Sequence, residues 1–402
     1  RESGLEVILK NGGVITYADR YVTWPGEATI EVNLVVIRKP PFPQEESRAA
    51  LDGTDVEFIS SWLDDLPEIS PTRLAQNRQK SFLGAVIHGT GFLLSKEEAQ
   101  QLIARDARNA SCIFPYLVGR DVNNDPQQKP SRMVINFHDW PLNEAEGYPA
   151  LIDIVRRRVK PYRDNVKRKQ YREKWWLFAE YCVELRRTIV DYDRVLVRSR
   201  VSELHMLSFM EKGIVYSDAT VVFTYDDHYH FALLQSSVHE VWLRRQASSL
   251  RTDVRYTPTD CFQTFPFPQA PSVVHQHIAE EEGQRFYEHR QQYMLANELG
   301  LTKTYNLFHD PACTDLGIEQ MRRLHADMDR AILACYAWED IDLEHGFYPN
   351  DRKKIRYMPS REAQREIFTR LITLNQEIAE QEAAEELGPD SDEEDKVDTD
   401  DA

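Results

Sequence analysis

Four side chains that could contact DNA lie within eight residues of one another: Arg198, Arg200, Glu203 and His205. A glutamate can accept a hydrogen bond from the amino group of cytosine, whereas arginine and histidine can donate to the acceptors of guanine. Arginine also contacts phosphate oxygens, which orient a protein on the duplex without reading its sequence. Arg198, Arg200 and His205 are therefore candidates for contact with phosphates or base edges.

The stretch that must position these side chains runs from Arg194 to Met206, where polar and apolar residues alternate. A period of two predicts a strand with one buried face. In a regular strand Arg198 and Arg200 would face one way and Glu203 and His205 the other, so a shared surface requires a bulge or turn near Ser202. The alternative is that Glu203 and His205 are ordinary solvent-facing residues of a hairpin.

Further cations are suited to the phosphate backbone. Ten basic and two acidic residues lie between Arg156 and Lys174, and a helix capped at Ser236-Ser237 is predicted to carry two more arginines. Such residues supply affinity and not sequence choice. The alternative for the basic residues is a solvated helix face, and core packing is predicted for Trp175 or Trp176. Besides Arg198, the residues predicted to contact the DNA backbone are Arg156, Arg157, Lys167, Arg168, Lys169, Arg244 and Arg245.

No catalytic residue, metal ligand or cofactor-binding residue is assigned. Asp226 to His230, with His239, could suggest a metal site, but two histidines at i and i+2 on a strand leave the third ligand unfixed. A polar hairpin turn is the better interpretation. The sequence contains no Asp followed by Glu-x-Lys in a strand context, the pattern that would indicate a nuclease.

Composition predicts a soluble globular chain of two or three domains, since 42% of its 402 residues are hydrophobic and 10% aromatic. No apolar run is long enough to span a membrane. Five scattered cysteines without a Cys-x-x-Cys pair indicate reduced thiols and a cytoplasmic location. The net charge of −17 is dominated by Glu377 to Ala402, with thirteen acidic residues and one lysine. Local patches therefore decide where DNA would dock.

The predicted fold is a mixed α/β domain followed by an α-helical domain. We divide the chain into residues 1–45, a set of strands too short to be a domain, 46–270, the mixed α/β domain, 271–386, the helical domain, and 387–402, a disordered acidic tail. Ser95 with Glu98 predicts a capping box. Strands are predicted at 14–17, 29–37, 213–216, 220–225 and 230–234, a helical segment at 56–66, and helices at 143–159, 280–299, 318–336 and 361–386.

Several motifs resemble one family of proteins. They are Trp-Pro-Gly-x-Ala-x-Ile from Trp24, Pro-Tyr-Leu-Val-Gly-Arg-Asp at 115–121, Val201-Ser202, Leu-Gln-Ser-Ser-Val-His-Glu-Val-Trp at 234–242, Arg255-Tyr256 and Thr-Phe-Pro-Phe-Pro at 264–268. Together they are similar to the target-recognition and C-terminal helical region of N6-adenine DNA methyltransferases of the type IIL/IIG restriction-modification and phage-defence kind. The resemblance covers most of residues 1–380. It implies that 46–270 is a DNA target-recognition domain and that 1–45 are the last strands of a methyltransferase domain. In the family, the strand that begins with Val-Ser faces the major groove. The resemblance therefore implies base recognition by Glu203 and His205, with Arg200 as a further candidate, and we predict backbone contact by Arg198.

The resemblance also implies the parent reaction, methyl transfer from S-adenosylmethionine to adenine N6 of a flipped base. The family's Phe-x-Gly-x-Gly and Asn-Pro-Pro-Tyr motifs do not occur here, and Lys39-Pro40-Pro41-Phe42 cannot replace the second because an ammonium group has no acceptor. We therefore expect a C-terminal part of a longer enzyme that binds no cofactor by itself. Expected partners are double-stranded DNA, an upstream methyltransferase domain, and nuclease or defence-system subunits.

A second hypothesis is a protein-interaction module of a defence complex that uses its helices and acidic tail. Salt-dependent binding of duplex DNA would distinguish the two, because only the first requires release of counterions from phosphates.

Overall fold

The computed structural model describes residues 4–25, 31–40, 48–250 and 253–387. The helices found there are α1 (Leu5–Lys10), α2 (Lys96–Arg105), α3 (Gly119–Asn124), α4 (Leu142–Ala145), α5 (Pro149–Arg158), α6 (Lys160–Arg163), α7 (Lys169–Glu173), α8 (Val183–Ile189), α9 (His228–Gln235), α10 (Ser237–Gln246), α11 (Val273–Ala296), α12 (Leu301–Phe308), α13 (Leu316–Cys335) and α14 (Arg361–Leu387). The strands are β1 (Val14–Thr23), β2 (Glu31–Arg38), β3 (Ala49–Leu51), β4 (Thr54–Val56), β5 (Ser81–Leu83), β6 (Leu93–Leu94), β7 (Ile113–Leu117), β8 (Arg132–Ile135), β9 (Arg194–Ser199), β10 (Val201–Ser202), β11 (Ser208–Glu211), β12 (Val215–Tyr216), β13 (Thr220–Phe223), β14 (Ser248–Leu250), β15 (Asp253–Arg255), β16 (Gly346–Pro349) and β17 (Ile355–Met358).

The chain forms two compact units. The first unit comprises Arg1–Thr72, His309–Ala312 and Asp340–Ala402, and the second unit comprises Arg73–Phe308 and Cys313–Glu339. In the first unit the sheet order is β2-β1-β3-β4, and β16 pairs with β17. The strands predicted at 14–17 and 29–37 are confirmed within the described residues as parts of β1 and β2. The turn at 26–30, the proline-rich linker at 41–47 and the acidic tail from 388 onward lie outside the described residues.

Three sheets organise the second unit, with strand orders β11-β9-β13-β5, β12-β7-β8-β6 and β10-β15-β14. The predicted alternation along β9 is wrong, because Val195 to Ser199 are all buried. Arg198 stacks over the Tyr256 ring on one face, while Ser199 lies against Gly119 of α3 on the other. A strand covered on both faces reads as a continuous buried run.

A break in the strand lies at Arg200, close to Ser202, where a surface shared by these side chains would require one. Strand β9 ends at Ser199, and after Arg200 the chain enters β10, which pairs with β15 in a different sheet. The side chains of one strand point alternately to its two faces. Because the chain changes sheet at Arg200, the residues before and after Arg200 do not share one such pattern. The chain then turns at Glu203 and Leu204 before returning as β11, antiparallel to β9.

The strand predicted at 230–234 is wrong, and so is the polar hairpin turn at 226–230. Asp227 is the N-cap of α9, with its carboxylate accepting a 2.8 Å hydrogen bond from the backbone N–H of His230. An acidic N-cap satisfies an unpaired donor of the first helical turn and so begins a helix. The apolar run that follows, Phe231 to Leu234, is buried on all sides, and for that reason it carries no helical periodicity.

Other helix starts and stripes are confirmed. Ser236 caps α10 by accepting from the N–H of His239, and Ser95 with Glu98 forms the capping box of α2. Helices α11, α13 and α14 correspond to the three long helices predicted, and Met321, Leu324, Met328 and Ala331 form the buried stripe of α13. The helix predicted at 143–159 is divided into α4 and α5, and residues 57–66 form turns without a helix.

Candidate nucleic-acid interface

Arg200 stands at the point where the chain changes sheets. Its backbone N–H donates to the carbonyl of Ala219 and its carbonyl accepts from Tyr256, both at 2.8 Å. The half-buried side chain donates through Nη1 to the carbonyl of Asp218 at 3.3 Å. Burial, and then the positive charge of nearby Arg255, lower the pKa of Arg200. A guanidinium stays protonated regardless. Arg200 is therefore a permanent positive charge on a backbone that two hydrogen bonds fix in place.

Glu203 follows β10 directly and is half-buried. Glu203, Ser202, Arg244 and Val254 line one shallow depression, and Arg198 with His205 lies in its floor. The Ser202 hydroxyl accepts a 3.2 Å hydrogen bond from the N–H of Leu204, which closes the turn. A tight, hydrogen-bonded turn therefore fixes the backbone of Glu203 beside the depression.

Arg198 and His205 lie inside the protein. Both are at least 95% buried, and Arg198 Nη1 donates to His205 Nδ1 at 2.8 Å. Burial and the neighbouring guanidinium hold the pKa of His205 well below its usual range, so its ring is neutral. With Nδ1 accepting, Nε2 carries the proton and donates to the carbonyl of Leu234. In this arrangement neither side chain is open to a DNA base or phosphate, and their predicted contacts stay predictions.

Arg244 and Arg245 occupy the last turn of α10 and are half-buried. Arg244 Nε pairs with Glu240 one turn earlier, at 2.8 Å. Such i,i+4 pairs contribute a few tenths of a kcal/mol to a helix. Their backbone contact also stays a prediction.

Two arginines at the same edge were not singled out from the sequence. Arg255 lies opposite Val201 in the β10–β15 pair, and exposed Arg120 follows Gly119, where a Cβ would stand 2.5 Å from Ser199 Oγ. Only the strand register and the close approach of α3 bring these residues to the sheet crossing. The glycine requirement at 119 was the available signal, because a residue that excludes a side chain often marks close packing.

The basic segment, Arg156 to Lys174, is less cationic than its composition indicates. Arg157 pairs with Asp153 at 2.8 Å, Arg156 with Glu146 at 3.2 Å, and Lys169 with Glu173 at 3.5 Å. Arg163 is fully buried and donates to the carbonyls of Ile87, His88 and Leu177. Most of the positive charge of the basic segment is therefore paired with carboxylates or buried.

Lys167 and Arg168 differ from their neighbours in this segment. Both are exposed, and among the described residues no carboxylate lies within ion-pair distance of either. Arg168 Nη1 donates to the hydroxyl of Tyr171 at 2.6 Å and its guanidinium lies over that ring. Their charges are available to an external anion. The prediction that a neighbouring tryptophan packs in the core is confirmed by Trp175, which is buried.

Comparisons with known proteins identify the fold. Residues 72–269 match the family model of the MmeI target recognition domain. The structure of the type IIL restriction-modification enzyme MmeI in complex with DNA superimposes with a TM-score of 0.69 at 17% identity, covering 93% of this chain and 47% of that one. The type IIG restriction endonuclease BpuSI gives a TM-score of 0.32 at 13% identity, over 69% of this chain and 32% of that one. No curated protein matches. This chain thus spans about half the length of the MmeI chain, with the same fold.

Proposed function

We propose that this chain recognises a specific double-stranded DNA sequence for an adenine-N6 methyltransferase, because residues 72–269 match the family model of the MmeI target recognition domain. The parent enzyme would serve a restriction-modification or phage-defence system. The MmeI structure, with which the chain shares its fold, was determined in complex with DNA. The observation that carries the proposal is the edge formed where β9 passes into β10.

Polar residues of three separate elements flank the backbone positions that form this edge. Arg200 and Glu203 flank β10, Arg255 comes from β15, and Arg120 begins α3. Donors and an acceptor fixed on strands and a tight turn are what direct readout of base edges requires. We assign base contact to Glu203 and Arg200, and phosphate contact to Arg120 and Arg255. Lys167 and Arg168 would add phosphate contacts outside the edge.

The parent enzyme is also part of the proposal. Methyl transfer from S-adenosylmethionine would be carried by a methyltransferase domain that precedes residue 1 and joins the first unit. The exposed apolar side chains of Leu34, Val36 and Ile37 on β2 support such a neighbour, because large apolar residues clustered on one strand favour a covering partner. Among the described residues no helix is long and apolar enough to cross a membrane. The five cysteines are free thiols, which suits the reducing cytoplasm.

Selection from a random duplex library tests the proposal with the 402-residue chain itself. We expect a short motif to be enriched, and binding to fall linearly with salt on logarithmic axes. Enrichment without a motif would reduce the function to nonspecific DNA binding. Absence of salt-dependent binding would overturn the proposal in favour of a protein-interaction module.

A further inference from the structure

A chain of buried polar side chains lies directly beneath the turn that contains Glu203. It consists of Arg198 on β9, His205 after the turn, Gln235 at the end of α9 and Arg290 on α11, and we call it the buried clamp. All four are at least 95% buried. Burying a polar group costs free energy unless the group is hydrogen-bonded. Four connected buried polar side chains at one place therefore indicate a specific role.

The first half of the buried clamp joins β9 to the segment after the turn. Arg198 Nη1 donates to His205 Nδ1 at 2.8 Å, and its Nε donates to the carbonyl of Ser199 at 3.1 Å. The guanidinium also stacks over the Tyr256 ring, 4.6 Å from its centroid. Among the described residues no carboxylate forms an ion pair with Arg198. Its charge is therefore held by one neutral histidine, one carbonyl and one aromatic face.

The second half joins the same segment to the helices. Gln235 Oε1 accepts from the N–H of Leu207 at 2.9 Å, and its amide donates to the carbonyl of His205 at 3.0 Å. Arg290 Nη2 donates to the carbonyl of Leu207 at 2.7 Å and Nη1 donates to Gln235 Oε1 at 3.2 Å. The backbone from His205 to Leu207 is thereby held from both sides.

We propose that Arg198 and His205 are positioning residues, which fix the turn of Ser202, Glu203 and Leu204 so that Glu203 meets a base at one geometry. This inference rests on the proposed function. It reassigns His205, predicted from the sequence to read a base, to a role in the interior. Only two residues, Glu203 and Leu204, lie between the end of β10 and His205, so displacement of His205 moves Glu203 directly. A site loosened by about 1 Å loses much of its discrimination.

The test compares variants in the same library selection. His205→Ala and Arg198→Met break the first half of the buried clamp. His205→Gln keeps an acceptor for Arg198 and a donor for Leu234. Glu203→Gln removes the negative charge at the turn itself. Asn109→Ala is the matched control, because it deletes a buried side chain bonded to a carbonyl, that of Leu102, in the same unit.

We expect His205→Ala and Arg198→Met to blur the motif at the same base pairs that Glu203→Gln affects, with about tenfold less discrimination and no switch to another base. Their effects should not add in the double variant, because both break one hydrogen bond. His205→Gln should restore the sharp motif, and Asn109→Ala should lower the melting temperature without changing the motif.

Three results would overturn the inference. One is a folded His205→Ala protein with an unchanged motif. Another is a His205→Gln protein that prefers a different base, because that would mean direct reading. The third is Arg198→Met affecting different base pairs from Glu203→Gln. If His205→Ala does not fold, His205→Gln and Arg198→Met still decide the question. A wild-type chain that enriches no motif would instead contradict the proposed function.

Discussion

Burial decides what each polar residue between Arg194 and Met206 can do. Arg200 and Glu203 are half-exposed and can meet a ligand, whereas Arg198 and His205 are enclosed and hydrogen-bonded to each other. The residue types alone did not separate these two groups, because all four are side chains that DNA-binding proteins use. Only the change of sheet at Arg200, which depends on pairing with distant β15, separates them.

A substitution at Glu203 should change base preference. Glu203→Lys replaces an acceptor by a donor beside the depression, so the preferred base pair at one position should change, with about 1 to 3 kcal/mol of discrimination moved. The measurement is selection from a random duplex library, with Glu240→Gln as control, since that carboxylate pairs with Arg244. An identical motif from the Glu203→Lys protein would show that this side chain does not read DNA.

The interior histidines should make stability pH-dependent. Burial and Arg198 lower the pKa of His239 to about 3, whereas in the unfolded chain it is about 6.5. The unfolded state therefore binds the proton first, and stability falls as pH drops below about 6.5, by about 1.4 kcal/mol per pH unit for this residue alone. His205, whose pKa is also depressed, acts in the same direction.

Urea unfolding at pH 7.5 and 5.5 measures this effect. His239→Gln should flatten the difference by about 1 kcal/mol, while the exposed His277→Gln should leave it unchanged. Equal pH dependence in the wild-type protein and His239→Gln would mean that the pKa of His239 is the same in the folded and unfolded states.

At the scale of elements, local signals were read correctly and pairing was not. The caps at Ser95 and Ser236 and the stripe of α13 follow from neighbouring residues, and the structure confirms each of them. Strand β9 is buried on both faces although its sequence alternates, and helix α9 has no helical periodicity because it is covered on all sides. The recognition edge draws Arg120, Arg200 and Arg255 from three distant segments, and no local pattern indicates which strands meet.

The basic segment should contribute to DNA binding unevenly. Lys167→Gln with Arg168→Gln should flatten the logarithmic salt dependence by about 0.9 for each phosphate that these two cations neutralise. The matched control, Arg156→Gln with Arg157→Gln, removes two cations that already pair with Glu146 and Asp153, and should change the slope less. The measurement is duplex affinity at several salt concentrations. A larger change in the control pair would return the backbone contact to α5.

At the scale of the whole molecule, the net negative charge opposes DNA binding. The chain carries a net −17, and eight of its acidic residues lie between Gly388 and Ala402. Deleting Gly388 to Ala402 should tighten duplex binding, because these carboxylates repel the phosphates, and the gain should shrink at high salt as the repulsion is screened. A Gly-Ser segment of equal length is the control. Weaker binding by the truncated protein would reveal a positive role for the tail.

Residues that pair in the second unit lie far apart in the sequence, so this unit can complete its fold only late in synthesis. Strand β5 completes its sheet only beside β13, and Asn77 Nδ2 donates to the carbonyl of Phe265, 188 residues later in the chain. At 5 to 20 residues per second, a ribosome needs roughly 10 to 40 s to supply that partner. During this interval the early strands expose unpaired edges and apolar surface, so the nascent chain is the state most dependent on chaperones.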